Sequence, residues 1–358
     1  MTGAAHNRTL AIASDTNSLV VHLVPRMKLA RFAAAFALAW VTLAAHGWDD
    51  LGHMTVAAIA YEQLTPVARG RVAALLKLNP QYPDWLAAAN GKDDARVAFL
   101  MAATWPDYIK HAAGYEDDGE IPLGPQAARN SGYGDRLMHK YWHYVDFPFS
   151  RDATPLAGPR APNALTQIEL FERILAPQPG SSIQADDALK SYDLVWLLHL
   201  VGDVHQPLHA TSRFDREHPA GDAGGNQVRV CTATCGSLHA YWDSLLEPTG
   251  GHLDGWCKKH DMAPDGPQCA SLKVAAALEN ARSAVGADRK FAADADVAHW
   301  IDESFAVAKV QVYATPVGTG KGPYKLDARY ELAARRAAMM QASLAGVRLA
   351  NLLNRAFQ

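Results

Sequence analysis

From Trp48 to the C-terminus the chain is Ala/Leu-rich, with apolar residues recurring every three to four positions. That spacing gathers them on one side of an α-helix. It predicts helices over Val56 to Tyr61, Ala68 to Leu78, Ala95 to Ala103, Leu165 to Leu175 and Ala188 to Val201. The pattern continues over Leu272 to Val285, Asp296 to Tyr313 and Leu326 to Asn354. Strict alternation is scarce; Gln227 to Cys231 is the best strand candidate, and a small β-hairpin there is the most the pattern allows. Stretches rich in Gly, Pro and Asp at 114–135, 148–163, 213–226 and 247–268 read as loops. No repeat and no long linker divides the chain. The expected fold is therefore all-α, a single multi-helical domain over residues 48–358.

Residues 1–47 read differently. Met27, Lys28 and Arg31 make a positive start, Phe32 to Ala45 an apolar run, and Ala45-His46-Gly47 a short end. This is the build of a secretory signal peptide with an upstream extension, with cleavage expected after Gly47 and translation starting at Met1 or Met27. The apolar run is shorter than the roughly 20 residues a membrane span needs. No transmembrane segment is expected in the mature chain, which would be secreted or periplasmic.

Composition sharpens this only in part. Apolar residues are 49% and charged residues 20%, values of a globular chain with ample core. Residues 1–47 hold four Lys/Arg and one Asp, so the rest carries 30 basic against 36 acidic residues and sits near −6. No broad basic surface announces nucleic acid. That weighs more against a DNA-binding module than against a metal enzyme, whose ions supply positive charge locally. The four cysteines suit two short-range disulfides, Cys231–Cys235 and Cys257–Cys269, in an oxidising compartment. As a zinc site their spacing is a poor match.

The densest chemistry is His199-Leu-Val-Gly-Asp203-Val-His205-Gln-Pro207-Leu-His209. His199 and Asp203, four apart, project from one helix face, and Pro207 should end that helix near Gln206 and let a turn bring His209 back. Imidazole beside carboxylate suits a cation taking nitrogen and oxygen ligands, which favours zinc. A lone His-x3-Asp pair is more often a surface pair on a helix. Here its flanks are apolar, and a buried Asp needs a partner. His239 and Asp243 repeat the spacing. Tyr141-Trp-His143-Tyr144-Val-Asp146, Thr104-Trp105-Pro-Asp107-Tyr-Ile-Lys110 and Trp48-Asp-Asp-Leu-Gly-His53 add weaker groups, each explicable alone as core or cap. Were Trp48 the mature N-terminus, its α-amino group, of pKa about 7.7–8.0, could chelate a metal together with its carbonyl.

Taken together these residues resemble the trinuclear-zinc, single-strand nucleases of the S-one/P-one or mung bean type, within the phospholipase C/nuclease fold. The likeness runs from Trp48 to the end and takes in Trp300-x2-Glu303-Ser304 and Ala345 to Leu353. It implies three zinc ions: one held by Asp107, His143, His199 and Asp203, a second by Trp48, His53 and bridging Asp203, a third by His209, His239 and Asp243. It further implies endonucleolytic hydrolysis of single-stranded DNA and RNA to 5′-phosphate products by a zinc-bound hydroxide, with 3′-nucleotides as further substrates. Asp107 and Asp203 would serve the catalytic pair, and Lys110 would neutralise phosphate charge, although a solvated lysine is the plainer reading. Tyr144 falls where a ring stacks on a base, Asp146 where a carboxylate meets its edge, and Asn226 is a weaker candidate for the same pocket. His205 reads as structural. No stable protein partner is implied.

Two rivals remain. Zinc-dependent phospholipases C share the fold, but close with His-x3-Glu and have a longer gap after the first Trp. Asp243 and the short gap before His53 favour the nuclease. A non-catalytic zinc-binding protein would explain the ligands but not Lys110, Tyr144 and Asp146.

Overall fold

The computed structural model describes residues 48–91, 94–176, 184–248, 251–284, 286 and 289–358. The signal-peptide reading of residues 1–47 lies outside them. Among the described residues thirteen α-helices dominate, joined by short 3₁₀ turns and a few strands of two to four residues. None of the described helices is long and apolar enough to cross a membrane.

The central element is the helix Asp187–Asp203. Asp186 caps it by accepting from the Leu189 amide, and nearly every side chain from Ser191 onward is buried. A helix apolar all round belongs in the interior, and this one packs against Ala164–Leu175 and Pro66–Leu76. The N-terminal helix Asp50–Gln63 lies chiefly against the 29-residue C-terminal helix Ala328–Ala356 and against Pro267–Ser283. The first of these contacts is close because of Gly346, where a Cβ would sit 2.6 Å from Ile59 Cβ. Six tryptophans are fully buried, and three of them, Trp105, Trp142 and Trp196, meet edge to face beneath the His/Asp residues.

Several boundaries differ from the periodic reading, each for a local reason. The N-terminal helix begins six residues before Val56, because Asp49 supplies a cap that accepts from the Gly52 amide. The central helix stops at Asp203 rather than near Gln206. Pro207 has no N–H for the Asp203 carbonyl and its ring would crowd that group, so the turn starts a full four residues upstream. Asp296 to Tyr313 is α-helical only to Val307 and continues as a π-turn over Ala308–Val312. The expected loop at 247–268 contains the helix Leu253–Lys259, and Tyr82–Ala88 is helical where no helix was expected.

The hairpin forms between Arg229–Cys231 and Cys235–Ser237 and is closed by Cys231–Cys235. Cys257–Cys269 makes the second disulfide, and no cysteine is free among the described residues. Beyond the hairpin, Tyr324–Lys325 adds a parallel strand, and Phe147–Ser150 pairs in parallel with Thr211–Phe214. That last ladder lays the segment carrying His143 beside the one carrying His209.

Asp193, on the central helix, is buried with only Asn130 donating to it, at 2.7 Å. Burial pushes its carboxyl up to about 8. An acid raised in the folded state contributes stability that is full below its unfolded value near 3.9 and lost as pH rises toward 8. Asp193→Asn should therefore match the parent's melting temperature at pH 4 and exceed it by several degrees at pH 8.5. Parallel melting curves across that range check this; equal midpoints at pH 8.5 would refute it.

Candidate metal centre

The turn that Pro207 forces is the geometric origin of the site. Gln206 is extended, its side chain accepts from the Leu208 amide, and a 3₁₀ turn over Pro207–Ala210 points His209 back inward. His209 Nδ1 lies 2.7 Å from the His143 carbonyl, and the Val145 amide donates to the His209 carbonyl at 2.7 Å. His199 Nδ1 lies 2.8 Å from the Ala103 carbonyl, which leaves Nε2 facing the cluster. A ring nitrogen tied to a carbonyl in this way fixes which nitrogen is free to ligate.

Asp203 sits at the middle, wholly buried. Its carboxylate oxygens lie 3.0 Å from His143 Nδ1, 3.2 Å from His199 Nε2 and 3.4 Å from His53 Nε2. Asp107 approaches the same three imidazoles, at 3.6 Å from His199, 3.9 Å from His143 and 4.0 Å from His53. Lys110 Nζ donates to Asp107 at 2.7 Å and is itself buried. The His53 ring stacks on His199 with centroids 3.7 Å apart. This closeness needs Gly202, since a Cβ there would lie 2.9 Å from His53 Nδ1. Trp48 is buried beside it, its indole donating to the Gly202 carbonyl at 3.1 Å.

A second group is formed by His209, His239 and Asp243. His209 and His239 face each other through Nε2 at 3.1 Å, and Asp243 lies 3.6 Å from His239. Gln206 donates to Asp243 at 2.6 Å, and His239 Nδ1 lies 2.7 Å from the Gly224 carbonyl. The structure thus gathers His53, Asp107, His143, His199 and Asp203 in one cluster and His209, His239 and Asp243 in another. The two are joined by Asp203, 3.6 Å from His209.

The charge states of His53 and His143 fit a cation, whereas Asp203 and Asp107 outweigh burial at His199 and hold it above its usual value. Neither nitrogen of His53 has a hydrogen-bond partner, nor do His143 Nε2 and Asp203 Oδ1, although all are buried. Unbonded polar atoms in the interior each cost on the order of 1–3 kcal/mol. Burial and the neighbouring His199 hold His53 below its usual value, and burial with Lys110 takes His143 down to about 3. Both imidazoles are therefore neutral at pH 7, with no proton to displace before ligation. Burial alone would raise Asp203, but the surrounding imidazoles, His199 foremost, hold it well below the carboxylate range. Asp243 is raised well above that range by burial. A cation beside it would favour its charged form.

The remaining candidates are Tyr144, Asp146 and Asn226. Tyr144 is half-buried and its hydroxyl donates to the Glu120 carbonyl at 2.5 Å. Asp146 is half-buried, and burial, with Asp222 adding to it, pushes its carboxyl up to about 7. Asn226 donates its side-chain amide to the Ala223 carbonyl of its own loop at 2.9 Å, in a solvent-exposed bond. His205 has the structural part expected of it, held between the Val201 carbonyl and Arg348. The spacing argument missed the supports around it. Ser304 donates to the Val204 carbonyl, and Gln341 to the His205 carbonyl and to Ser304. Arg348 lies 2.7 Å from Glu303 and covers Trp300. These polar residues lock the turn between the two clusters, and no sequence periodicity marks them.

With the geometry in hand, comparison with known proteins gives a matching family. The S1/P1 nuclease family model matches residues 48–358, the whole described domain. The chain belongs to the S1/P1 nuclease family. It is similar to Nuclease S1 of Aspergillus oryzae, 27% identical over 233 residues, covering 62% of this chain and 61% of that protein. Endonuclease 2 of Arabidopsis thaliana is 24% identical over 221 residues, covering 59% and 60%. Endonuclease 4 of the same plant is 26% identical over 230 residues, covering 60% of each. The matched stretch thus spans about three fifths of each relative. Zinc-dependent phospholipase C, the rival with the same ligand types, is the less apt reading of this family member.

Asp243→Asn should lower the metal bound per chain by about one ion and leave the Asp203-centred cluster loaded. Elemental analysis of the purified variant checks this. An unchanged metal content would show that Asp243 is not a ligand.

Proposed function

We propose that this protein is a secreted or periplasmic, zinc-dependent endonuclease that hydrolyses phosphodiester bonds of single-stranded DNA and RNA to 5′-phosphate products, and also acts on 3′-nucleotides. The observation that carries the reading is the buried convergence of His53, His143 and His199 on Asp203, with ring nitrogens left unbonded. Family membership supports the nuclease activity. The two disulfides support an oxidising compartment and hence an exported domain of residues 48–358.

In this reading Asp107, His143, His199 and Asp203 hold one zinc, and Trp48, His53 and shared Asp203 a second. His209, His239 and Asp243 hold a third. Zinc, when bound, lowers the pKa of coordinated water from 15.7 to about 7 and neutralises charge on the phosphate. The rest falls to the chain's own side chains. Asp107 and Asp203 orient the three imidazoles, and Lys110 adds a fixed positive charge at Asp107. Tyr144 offers a ring to a base, a contact worth about 1–3 kcal/mol and tolerant of sequence. A carboxyl near pKa 7 at Asp146 can both donate to and accept from a base edge at neutral pH. A base swung out to meet both is easiest to obtain from a single strand. Asn226 would join them only by leaving Ala223.

The zinc-loaded mature protein should cleave single-stranded DNA and RNA and dephosphorylate 3′-nucleotides, lose these activities on chelation, and leave phosphatidylcholine intact. Lipid turnover without nucleic acid cleavage would overturn the nuclease reading, and turnover of nothing would leave a zinc binder. A chain carrying one extra residue before Trp48 should bind about one zinc fewer and lose most activity, if the terminal amine is a ligand. Undiminished zinc and activity would remove Trp48 from the set.

A further inference from the structure

The ring of Tyr144 is not free to find its own position. Its hydroxyl is tied to the Glu120 carbonyl, 24 residues earlier in the chain. That carbonyl ends the segment Glu116-Asp117-Asp118-Gly119-Glu120, acidic enough to be a solvated loop if left alone. Instead three successive residues just before His143 grip it. The His139 amide donates to Asp118 Oδ1 at 2.8 Å, and its ring lies 3.2 Å from Asp118 Oδ2. Lys140 reaches Asp117 at 2.7 Å and Glu120 at 3.3 Å. The Tyr141 hydroxyl donates to Asp118 Oδ2 at 2.5 Å. The Glu116 amide and carbonyl bond to Arg136 and Met138.

The grip is itself anchored. His139 is wholly buried, stacked on Trp142 with centroids 3.6 Å apart, and its Nε2 lies 3.1 Å from Asp135. Charge-assisted bonds to a partly buried carboxylate such as Asp118 are worth more than surface pairs. The segment therefore stays in place without help from Tyr144, and the constraint runs from segment to ring. Phenylalanine would stack on a base as well as tyrosine does. What the hydroxyl adds is orientation, and a ring already fixed loses less rotational freedom when a base lands on it.

We infer that Glu116–Glu120, held by Asp118 and Lys140, is a positioning device that presets Tyr144 for a nucleobase. This rests on the reading of Tyr144 as the stacking ring. Asp118 and Lys140 are positioning residues, since neither is argued to touch substrate.

The test compares a single-stranded oligonucleotide with an abasic oligonucleotide of the same length, using the zinc-loaded protein. Asp118→Ala and Lys140→Met should each raise KM for the base-bearing strand about 3- to 10-fold, keep kcat within about twofold, and cleave the abasic strand at the parent rate. Tyr144→Phe should raise the same KM, and it removes one oxygen without disturbing the loop's own grip. Loss of cleavage of both strands in equal measure would mean a general structural role and overturn the inference. Unchanged KM in Asp118→Ala, Lys140→Met and Tyr144→Phe, with KM raised in Tyr144→Ala, would overturn positioning and leave stacking intact. Unchanged KM in Tyr144→Ala would remove the stacking reading and this inference with it.

Discussion

The structure is organised around a fully buried carboxylate. Asp203 lies at the buried end of its helix, among one imidazole from that same helix, His199, and two from other parts of the chain, His53 and His143. An isolated carboxylate there would be untenable, and so would imidazoles with unbonded nitrogens. The arrangement is tolerable only as one electrostatic unit, and a divalent cation completes it best. Much of the surrounding fold serves to hold that unit: tryptophans beneath it, Gly202 to admit His53, and a proline to stop the helix in time.

The cost of such a centre falls on folding. Its members come from positions 53 to 243, so no local segment carries a complete site. The parallel ladder of Phe147–Ser150 with Thr211–Phe214 and the polar lock of Ser304, Gln341 and Arg348 do the joining. The ladder, Ser304 and Gln341 bond to backbone groups and Arg348 to the His205 ring, so none of these joints takes up a side chain of the centre. The candidates for contact with a base follow another rule: Tyr144 and Asp146 are half-buried, and Tyr144 packs against the hydrophobic core with its hydroxyl tied to the Glu120 carbonyl.

Much of this was legible in the sequence because helices advertise themselves by period. His199 with Asp203, and His239 with Asp243, announce a shared face through their spacing, and Pro207 announces the turn that returns His209. The disulfide pairs were readable because short loops leave few alternatives. What stayed hidden was long-range and backbone-mediated. A four-residue parallel ladder leaves no alternating signature, and Gln341 looks like any helix glutamine until its amide is seen on the His205 carbonyl. Nor does the sequence show that the Asn226 amide donates to the Ala223 carbonyl of its own loop. The helix end was missed by three residues because the proline acts on the carbonyl four positions back.

The packing of the first described helix against the last has a kinetic meaning. His53 rides on Asp50–Gln63, whose main support is Ala328–Ala356 at the far end of the chain. Contacts of such sequence separation form late, because the loop between them must first be closed. While the chain is still being made or moved, the helix bearing His53 lacks its principal partner. The cluster that includes His53 is therefore complete only once the last helix has docked.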